Sequence, residues 1–367
     1  MVRIALVGCT GSIGSQVLEV VRRYPDRFQI SALVAGSNAA RLALLAKEFH
    51  PKIAFCANVV EKTHKACSHE ELFADCDIAF IAASGFTGLA YTMSAIEAGK
   101  TIALANKESL VCGGELVMQA AKERGVSIIP VDSEHSAIFQ ALGCRREAEF
   151  KKLILTASGG PFLHCTKEEL ARVTAKDALK HPTWNMGAKV TIDSATLLNK
   201  GYEVIEAKWL YGADFSAIEA VVHPESIVHS LVYFEDGAAL AQLGYPDMRV
   251  PIQLALTYPE RLPCAPALDL AAIGTLHFER LPAERFPCYE LALAAGTAGG
   301  SAPTVLNAAA EEAVRAFLLG GISFPNIAET IEYALSHTAM SEAGTYEALF
   351  EADKKAREAA KTFIHGK

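Results

Sequence analysis

Apolar positions in roughly the first 130 residues fall into short, near-continuous runs separated by stretches with a helical period. VRIALVG, FQISALVAG, KIAFCA, CDIAFIAAS, KTIALAN and VSIIPVD each read as a buried strand. SIGSQVLEVVRRY, Ala39–Phe49, Thr87–Ala98 and Ser109–Arg124 read as helices between them. This βαβ rhythm predicts an α/β fold whose N-terminal part, residues 1–131, is a Rossmann-like doubly wound parallel sheet.

Beyond Val131 the pattern changes. KLILTAS is a further strand, and Asp193–Trp209 reads as one helix with Asp193 or Ser194 as its N-cap. The stretch IEAVVHPESIVHSLVYFEDGAALAQLG reads as consecutive strands, with Glu235–Asp236–Gly237 as a hairpin turn. A central α+β domain over 132–257 follows. From 258 to 286 proline is frequent and periodicity is lost, which suggests a linker. Pro303–Leu319, Asn326–Ser336 and Glu342–Phe363 then predict a small C-terminal helical domain over 287–367.

Composition narrows what such a chain can do. A length of 367 residues calls for more than one core. A net charge of -8 argues against nucleic acid as a partner, because a polyanion needs a basic face. It leaves room for a small phosphorylated ligand. The nine cysteines show no CxxC pair and no zinc spacing, so reduced thiols in a cytoplasmic protein are expected. The N-terminus enters a strand at once, so no signal peptide is expected. No apolar run reaches the ~20 residues of a membrane helix, so no membrane partner is expected.

The candidate chemistry starts at Gly8-Cys9-Thr10-Gly11-Ser12-Ile13-Gly14, between the first strand and the first helix. Glycines there permit a tight turn and let a pyrophosphate approach the helix N-terminus. An NAD site usually places an acid at the end of the second strand; this chain has Gly36-Ser37-Asn38, with Arg41 beyond. That favours NADP, with a plain turn and an Asn38 cap as the alternative.

Asp132-Ser133-Glu134 follows the strand VSIIPV. If the segment is extended, residues i and i+2 point the same way and offer a hard-metal half-site. The same residues equally suit a helix start, with Asp132 or Ser133 as the cap and Glu134 in the first turn. Asn199, Lys200 and Glu203 can share one helix face. They suit a site for a metal and a phosphate, or form only a surface Lys–Glu pair. In HPTWNMG, His181–Gly187, Trp184 and Met186 could form a lid over a ligand, or the tryptophan could merely pack. Ser158, in TASGGPF, could serve an anion, whereas His223 and His229 around HPES are more often structural.

Together GCTGSIG, LANKESLV, PVDSEHSAIFQ, LTASGGPF, HPTWNMG, DSATLLNKG, HPESIVHS and SAPTVLNAAAE resemble the 1-deoxy-D-xylulose 5-phosphate reductoisomerase family, in order along nearly the whole chain. The resemblance implies an NADPH- and divalent-metal-dependent enzyme, using Mg²⁺, Mn²⁺ or Co²⁺. It would rearrange and reduce a 5-phospho ketose to 2-C-methyl-D-erythritol 4-phosphate in isoprenoid precursor synthesis. It implies Asp132, Glu134 and Glu203 as metal ligands. It implies Ser158, Ser194, Asn199 and Lys200 around the substrate phosphate, and Ser133, Lys107 and His181 near its hydroxyls. His229, Trp184 and Met186 complete the implied substrate contacts. NADPH contacts are implied at Thr10, Gly11, Ser12, Ile13, Gly36, Asn38, Asn106, Glu108 and Gly187, with Ser37 and Lys107 alongside. Ser37 departs from the family, many members of which carry a basic residue there. Lys107 is the implied proton or charge partner near the reacting oxygens. The central domain would then be catalytic, with 181–187 as a mobile lid, and the enzyme a homodimer. Two rival readings are a metal-dependent NADP-linked dehydrogenase without skeletal rearrangement and a non-catalytic NADP-binding sensor. Product analysis separates the first, and the cluster of carboxylates argues against the second.

Overall fold

The buried runs of the N-terminal part become strands because β-branched and aliphatic side chains cover both faces of a parallel sheet. In the computed structural model, which describes residues 1–57, 68–143, 149–184 and 186–367, the elements follow in this order. The first are β1 (Val2–Val7), α1 (Ser12–Arg23), β2 (Phe28–Ala35), α2 (Ala39–Phe49), β3 (Ile53–Cys56) and α3 (His69–Ala74). β4 (Ile78–Ile81), α4 (Thr87–Glu97), β5 (Thr101–Leu104), α5 (Glu108–Arg124), β6 (Ile128–Pro130) and α6 (Ser133–Ala141) continue them. The strands pair in the order β3-β2-β1-β4-β5-β6, all parallel. That order reverses between β1 and β4. In open α/β sheets ligands bind beyond the strand ends at such a switch point.

The second sheet belongs to β7 (Lys152–Ala157), β8 (Ile218–Val222), β9 (Val228–Tyr233), β10 (Ala239–Leu243) and β11 (Glu279–Arg280). Its order is β10-β9-β7-β8-β11. The consecutive strands after residue 217 therefore do not form a simple meander. β7 inserts between β8 and β9, parallel to the first and antiparallel to the second. The hairpin from β9 to β10 does turn at Glu235–Gly237, where Gly237 has φ +85°.

The single helix expected over Asp193–Trp209 is two. One spans Ala188–Ala195 and the next Leu198–Tyr211. Leu197 between them takes φ +57°, a conformation leucine rarely adopts, so no sequence signal marks the break. Asp193 and Ser194 lie in the last turn of the first helix and are not N-caps.

The chain forms two compact units, and neither is continuous in sequence. The first comprises Met1–Ser109, Val117–Ser136 and Asp247–Pro266. The second comprises Leu110–Leu116, Ala137–Pro246 and Ala267–Lys367. The boundaries expected at 131/132 and 257/258 thus differ from this grouping. The helix Arg249–Thr257 packs on α1, and Glu260 pairs with Arg27, which keeps 247–266 with the first sheet. The segment 258–286 is also no bare linker, since it contains the helix Leu270–Ile273 and β11. C-terminal helices at Pro287–Ala298, Ala302–Leu318, Pro325–His337 and Tyr346–His365 complete the second unit, clustering around the buried helix Ala302–Leu318. No described helix is long and apolar enough to cross a membrane.

Candidate active site

In the first unit, the turn after β1 is shaped by close backbone approach. Gly8 has φ +87°, and a Cβ there would lie 2.3 Å from the Ala82 carbonyl oxygen beyond β4. A Cβ on Gly14 would meet the Gly8 carbonyl at the same distance, so only glycine lets α1 start this close to the strand. The first turn of α1 has no side-chain cap and no acid. Its uncapped N–H groups and the helix dipole favour an anion, as read from the glycine spacing.

At the end of β2 the Asn38 side chain accepts the Arg41 amide at 3.0 Å and caps α2. Asn38 is exposed, so the cap does not exclude a contact with a ligand. Under the turn, Asn106 and Glu108 are almost fully buried. Asn106 donates to Ala83 O at 2.9 Å, Gly85 O at 3.1 Å and Glu108 Oε2 at 2.8 Å; Glu108 Oε1 accepts the Gly85 amide at 3.0 Å. This network ties the loop after β5 to the loop after β4. Gly187 belongs to the second unit, where it precedes a helix and nothing lies close to its α-carbon's open side.

Asp132 and Glu134 are not successive residues of an extended segment. α6 begins at Ser133, so Glu134 lies in its first turn and Asp132 just before it. Asp132 Oδ1 accepts the Glu134 amide at 3.2 Å, while Oδ2 pairs with Lys107 Nζ at 2.9 Å. Asp132 and Lys107 side chains are only 12% and 13% exposed. Ser133 Oγ donates to the Glu134 carboxylate. The capping role and an acidic cluster therefore coexist. Both carboxylates converge on one helix N-terminus, where the dipole favours negative charge.

In the second unit, Lys200 and Glu203 pair as the helical spacing allows, but inside the protein. Their side chains are 4% and 1% exposed. Lys200 Nζ also donates to Thr156 O at 2.5 Å, and Asn199 Nδ2 donates to Glu203 Oε1 at 2.5 Å. This removes the surface-pair alternative. It also commits the Lys200 ammonium to Glu203 and β7. Thr156 was missed in the sequence. It is a buried polar residue of β7, and its hydroxyl reaches Val228 O and His229 O at 2.7 and 2.8 Å.

Around the start of the second-unit helices, His181 gathers two serines. Its Nε2 lies 3.0 Å from Ser158 Oγ and 3.2 Å from Ser194 Oγ. Its Nδ1 accepts the backbone amides of Thr183 and Trp184 at 3.2 and 2.9 Å. A nitrogen that accepts two N–H groups carries no proton, so the ring is neutral with its hydrogen on Nε2. Burial pushes the His181 pKa down, in keeping with a neutral ring. Trp184 is half-buried, with its ring 6.0 Å from that of His229. Met186 is half-buried too, and Asn185 between them lies outside the described residues. His223, fully buried, accepts the Ile227 and Val228 amides on Nε2, which makes it the structural histidine the sequence suggested.

The His181 arrangement has a pH consequence. A displaced segment takes up a proton as pH falls below the ordinary histidine value of 6.5, whereas the native ring resists because its pKa is lower. The anchoring is therefore fully present above that value and weakens as pH falls. In a Trp209→Phe protein, which leaves Trp184 as the sole tryptophan, emission should shift to the red between pH 7 and pH 5. A flat response would mean that His181 does not hold Trp184.

Three family models match the chain. One described as 1-deoxy-D-xylulose 5-phosphate reductoisomerase matches residues 4–114, its C-terminal domain 128–211, and a DXP reductoisomerase C-terminal domain 243–359. A 1-deoxy-D-xylulose 5-phosphate reductoisomerase of Geobacillus sp. (strain WCH70) is 51% identical, covering 98% of this chain and 99% of its own. One of Listeria monocytogenes serotype 4b (strain F2365) is 47% identical over 99% of this chain and 100% of its own. A solved DOX-P reductoisomerase in complex with NADPH, fosmidomycin and magnesium covers 100% of this chain and 98% of its own, with 39% identity and a TM-score of 0.94. The Zymomonas mobilis enzyme with NADPH covers 100% and 99%, with 39% identity and a TM-score of 0.89.

Proposed function

From the premise that this chain belongs to the 1-deoxy-D-xylulose 5-phosphate reductoisomerase family, we propose that Asp132, Glu134 and Glu203 hold its divalent ion. The chain carries out the NADPH-dependent conversion of 1-deoxy-D-xylulose 5-phosphate to 2-C-methyl-D-erythritol 4-phosphate. The donor chemistry fits a hard divalent ion such as magnesium: every proposed ligand atom is a carboxylate oxygen, and no thiol or imidazole is among them. The cofactor fits as well, since the Gly8–Gly14 turn leaves the first amides of α1 uncapped. When bound, the ion supplies Lewis-acid polarisation of the ketone, and NADPH supplies the reducing equivalents.

The chain's own residues do the rest. Lys107, paired with Asp132, holds a positive charge and a movable proton beside the substrate oxygens. Lys200 pairs with the Glu203 carboxylate inside the protein and offsets its charge. His181, with its proton on Nε2, orients Ser158 and Ser194, and these with Asn199 form the phosphate pocket. Ser133 and His229 line the sugar, and Trp184 with Met186 exclude water above it. Thr10, Gly11, Ser12, Ile13, Gly36, Ser37, Asn38, Asn106, Glu108 and Gly187 form the NADPH contacts. Residues 1–131 serve the cofactor, 132–257 the chemistry with 181–187 as lid, and 258–286 and 287–367 the connection and helical support. The enzyme works in the cytoplasm as a homodimer. Edge strand β10, with exposed Leu240 and Leu243, offers a face for the second copy, which sedimentation of a Leu240→Lys variant would check.

The single observation that carries the residue assignment is the gathering of carboxylate oxygens of Asp132, Glu134 and Glu203 within 4.8 Å of one another, with Glu203 buried beside Lys200. The test is an NADPH-oxidation assay with the 5-phospho ketose, with and without chelator, followed by product analysis. Metal-dependent turnover to a branched skeleton is expected. Turnover unaffected by complete chelation, or an unbranched product, would overturn the reading.

A further inference from the structure

Ser37 puts no charge at the end of β2, yet NADPH carries a 2′-phosphate that needs one. We propose that the Arg41 guanidinium, reaching from the first turn of α2 to Ser15 of α1, is the group that selects NADPH by binding this phosphate. The inference rests on the assignment of the Gly8–Gly14 turn to the dinucleotide.

Four observations support it. Arg41 Nη2 donates to Ser15 Oγ at 2.9 Å, and that hydroxyl donates to Gly11 O at 2.7 Å. The guanidinium is thereby fixed beside the glycine turn, and its charge opposes the rise that burial imposes on the Cys9 thiol within the turn. Secondly, several other arginines of this unit are engaged elsewhere: Arg3 on Asp75 and Asp77, Arg22 on Glu48, Arg27 on Glu260, and Arg23 on the Cys264 carbonyl. Among the described residues, Arg41 has no carboxylate within ion-pair distance. Thirdly, a cation in the first turn has the wrong sign for the dipole of α2, and no acid in that turn offsets it. A bound dianion would balance both. Lastly, this end of the second strand is where the adenosine ribose of a dinucleotide lies in such sheets, and a nearby arginine can accommodate a 2′-phosphate. The planar fork suits a phosphate better than an ammonium would.

The test uses the full-length protein and reads binding, not turnover. Dissociation constants for NADPH, NADH, adenosine 2′,5′-bisphosphate and 5′-AMP are measured by calorimetry for the wild type, Arg41→Gln and Arg41→Gln/Ser37→Arg. Losing a charge-assisted bond should weaken NADPH and the bisphosphate about ten- to hundredfold, leaving NADH and 5′-AMP within about twofold. The added arginine at position 37 should restore part of the loss. Equal weakening of all four ligands would mean that Arg41 only ties α2 to α1, and unchanged NADPH affinity would also overturn the inference. A wild type that binds neither dinucleotide would instead overturn the turn assignment, and Arg41 with it.

Discussion

Asp132→Asn and Glu203→Gln are each expected to lower turnover by a few orders of magnitude while leaving NADPH affinity near normal. Losing a ligand of a Lewis-acid ion removes several kcal/mol of transition-state stabilisation, and each ~1.4 kcal/mol is tenfold in rate. The Gly8–Gly14 turn, proposed above for the dinucleotide, is shaped by its close approach to Ala82. If Asp132 only capped α6, the variant would keep its activity and the cap itself, because asparagine caps about as well as aspartate. The measurements are circular dichroism, NADPH binding and turnover over a range of Mg²⁺ concentrations. Raised metal demand in both variants, with unchanged NADPH affinity, is the signature of shared ligands. Full activity in both would remove the proposed metal site.

Lys200→Met should have the largest effect on stability. Glu203 is 1% exposed, and without Lys200 its charge would lose the cation that pairs with it in the interior. Breaking a buried pair from one side typically costs ~3–5 kcal/mol, because the remaining ion is left uncompensated. Lys200→Met/Glu203→Leu should recover most of that loss, since replacing both partners by apolar groups is often near neutral. Activity should stay lost in both. Urea unfolding followed through Trp209, which packs on Gly114 within the same unit, reads the change. Added Mg²⁺ should stabilise Lys200→Met more than the wild type if Glu203 is a ligand, because binding to the native state alone raises stability. A variant as stable as the wild type would show that the pair is not electrostatically coupled to its surroundings.

The sequence by itself determined what short-range geometry controls. Buried runs between helical stretches specified the parallel sheet, because strand and helix periods are set by local sterics. The glycine spacing marked the turn after β1, and helical spacing put Asn199, Lys200 and Glu203 on one face. Even the two readings of Asp132, cap and cluster, were legible, although the backbone that reconciles them is helical and not extended. Tertiary structure alone decided the rest. β7 lies between β8 and β9, strands more than 50 residues further along, and no local pattern encodes that pairing. Leu197, which is buried, takes a left-handed conformation that its side chain disfavours, so local preference does not account for the helix break. Arg249–Thr257 returns to α1 across most of the chain. Lys200 and Glu203 would form a weak pair on a surface, but burial makes the same spacing a high-stakes ion pair. The His181 tautomer depends on two backbone amides meeting Nδ1 and two serines meeting Nε2. Periodicity constrains which residues share a face; whether that face meets water or protein depends on residues distant in sequence, and that sets the electrostatics of the site.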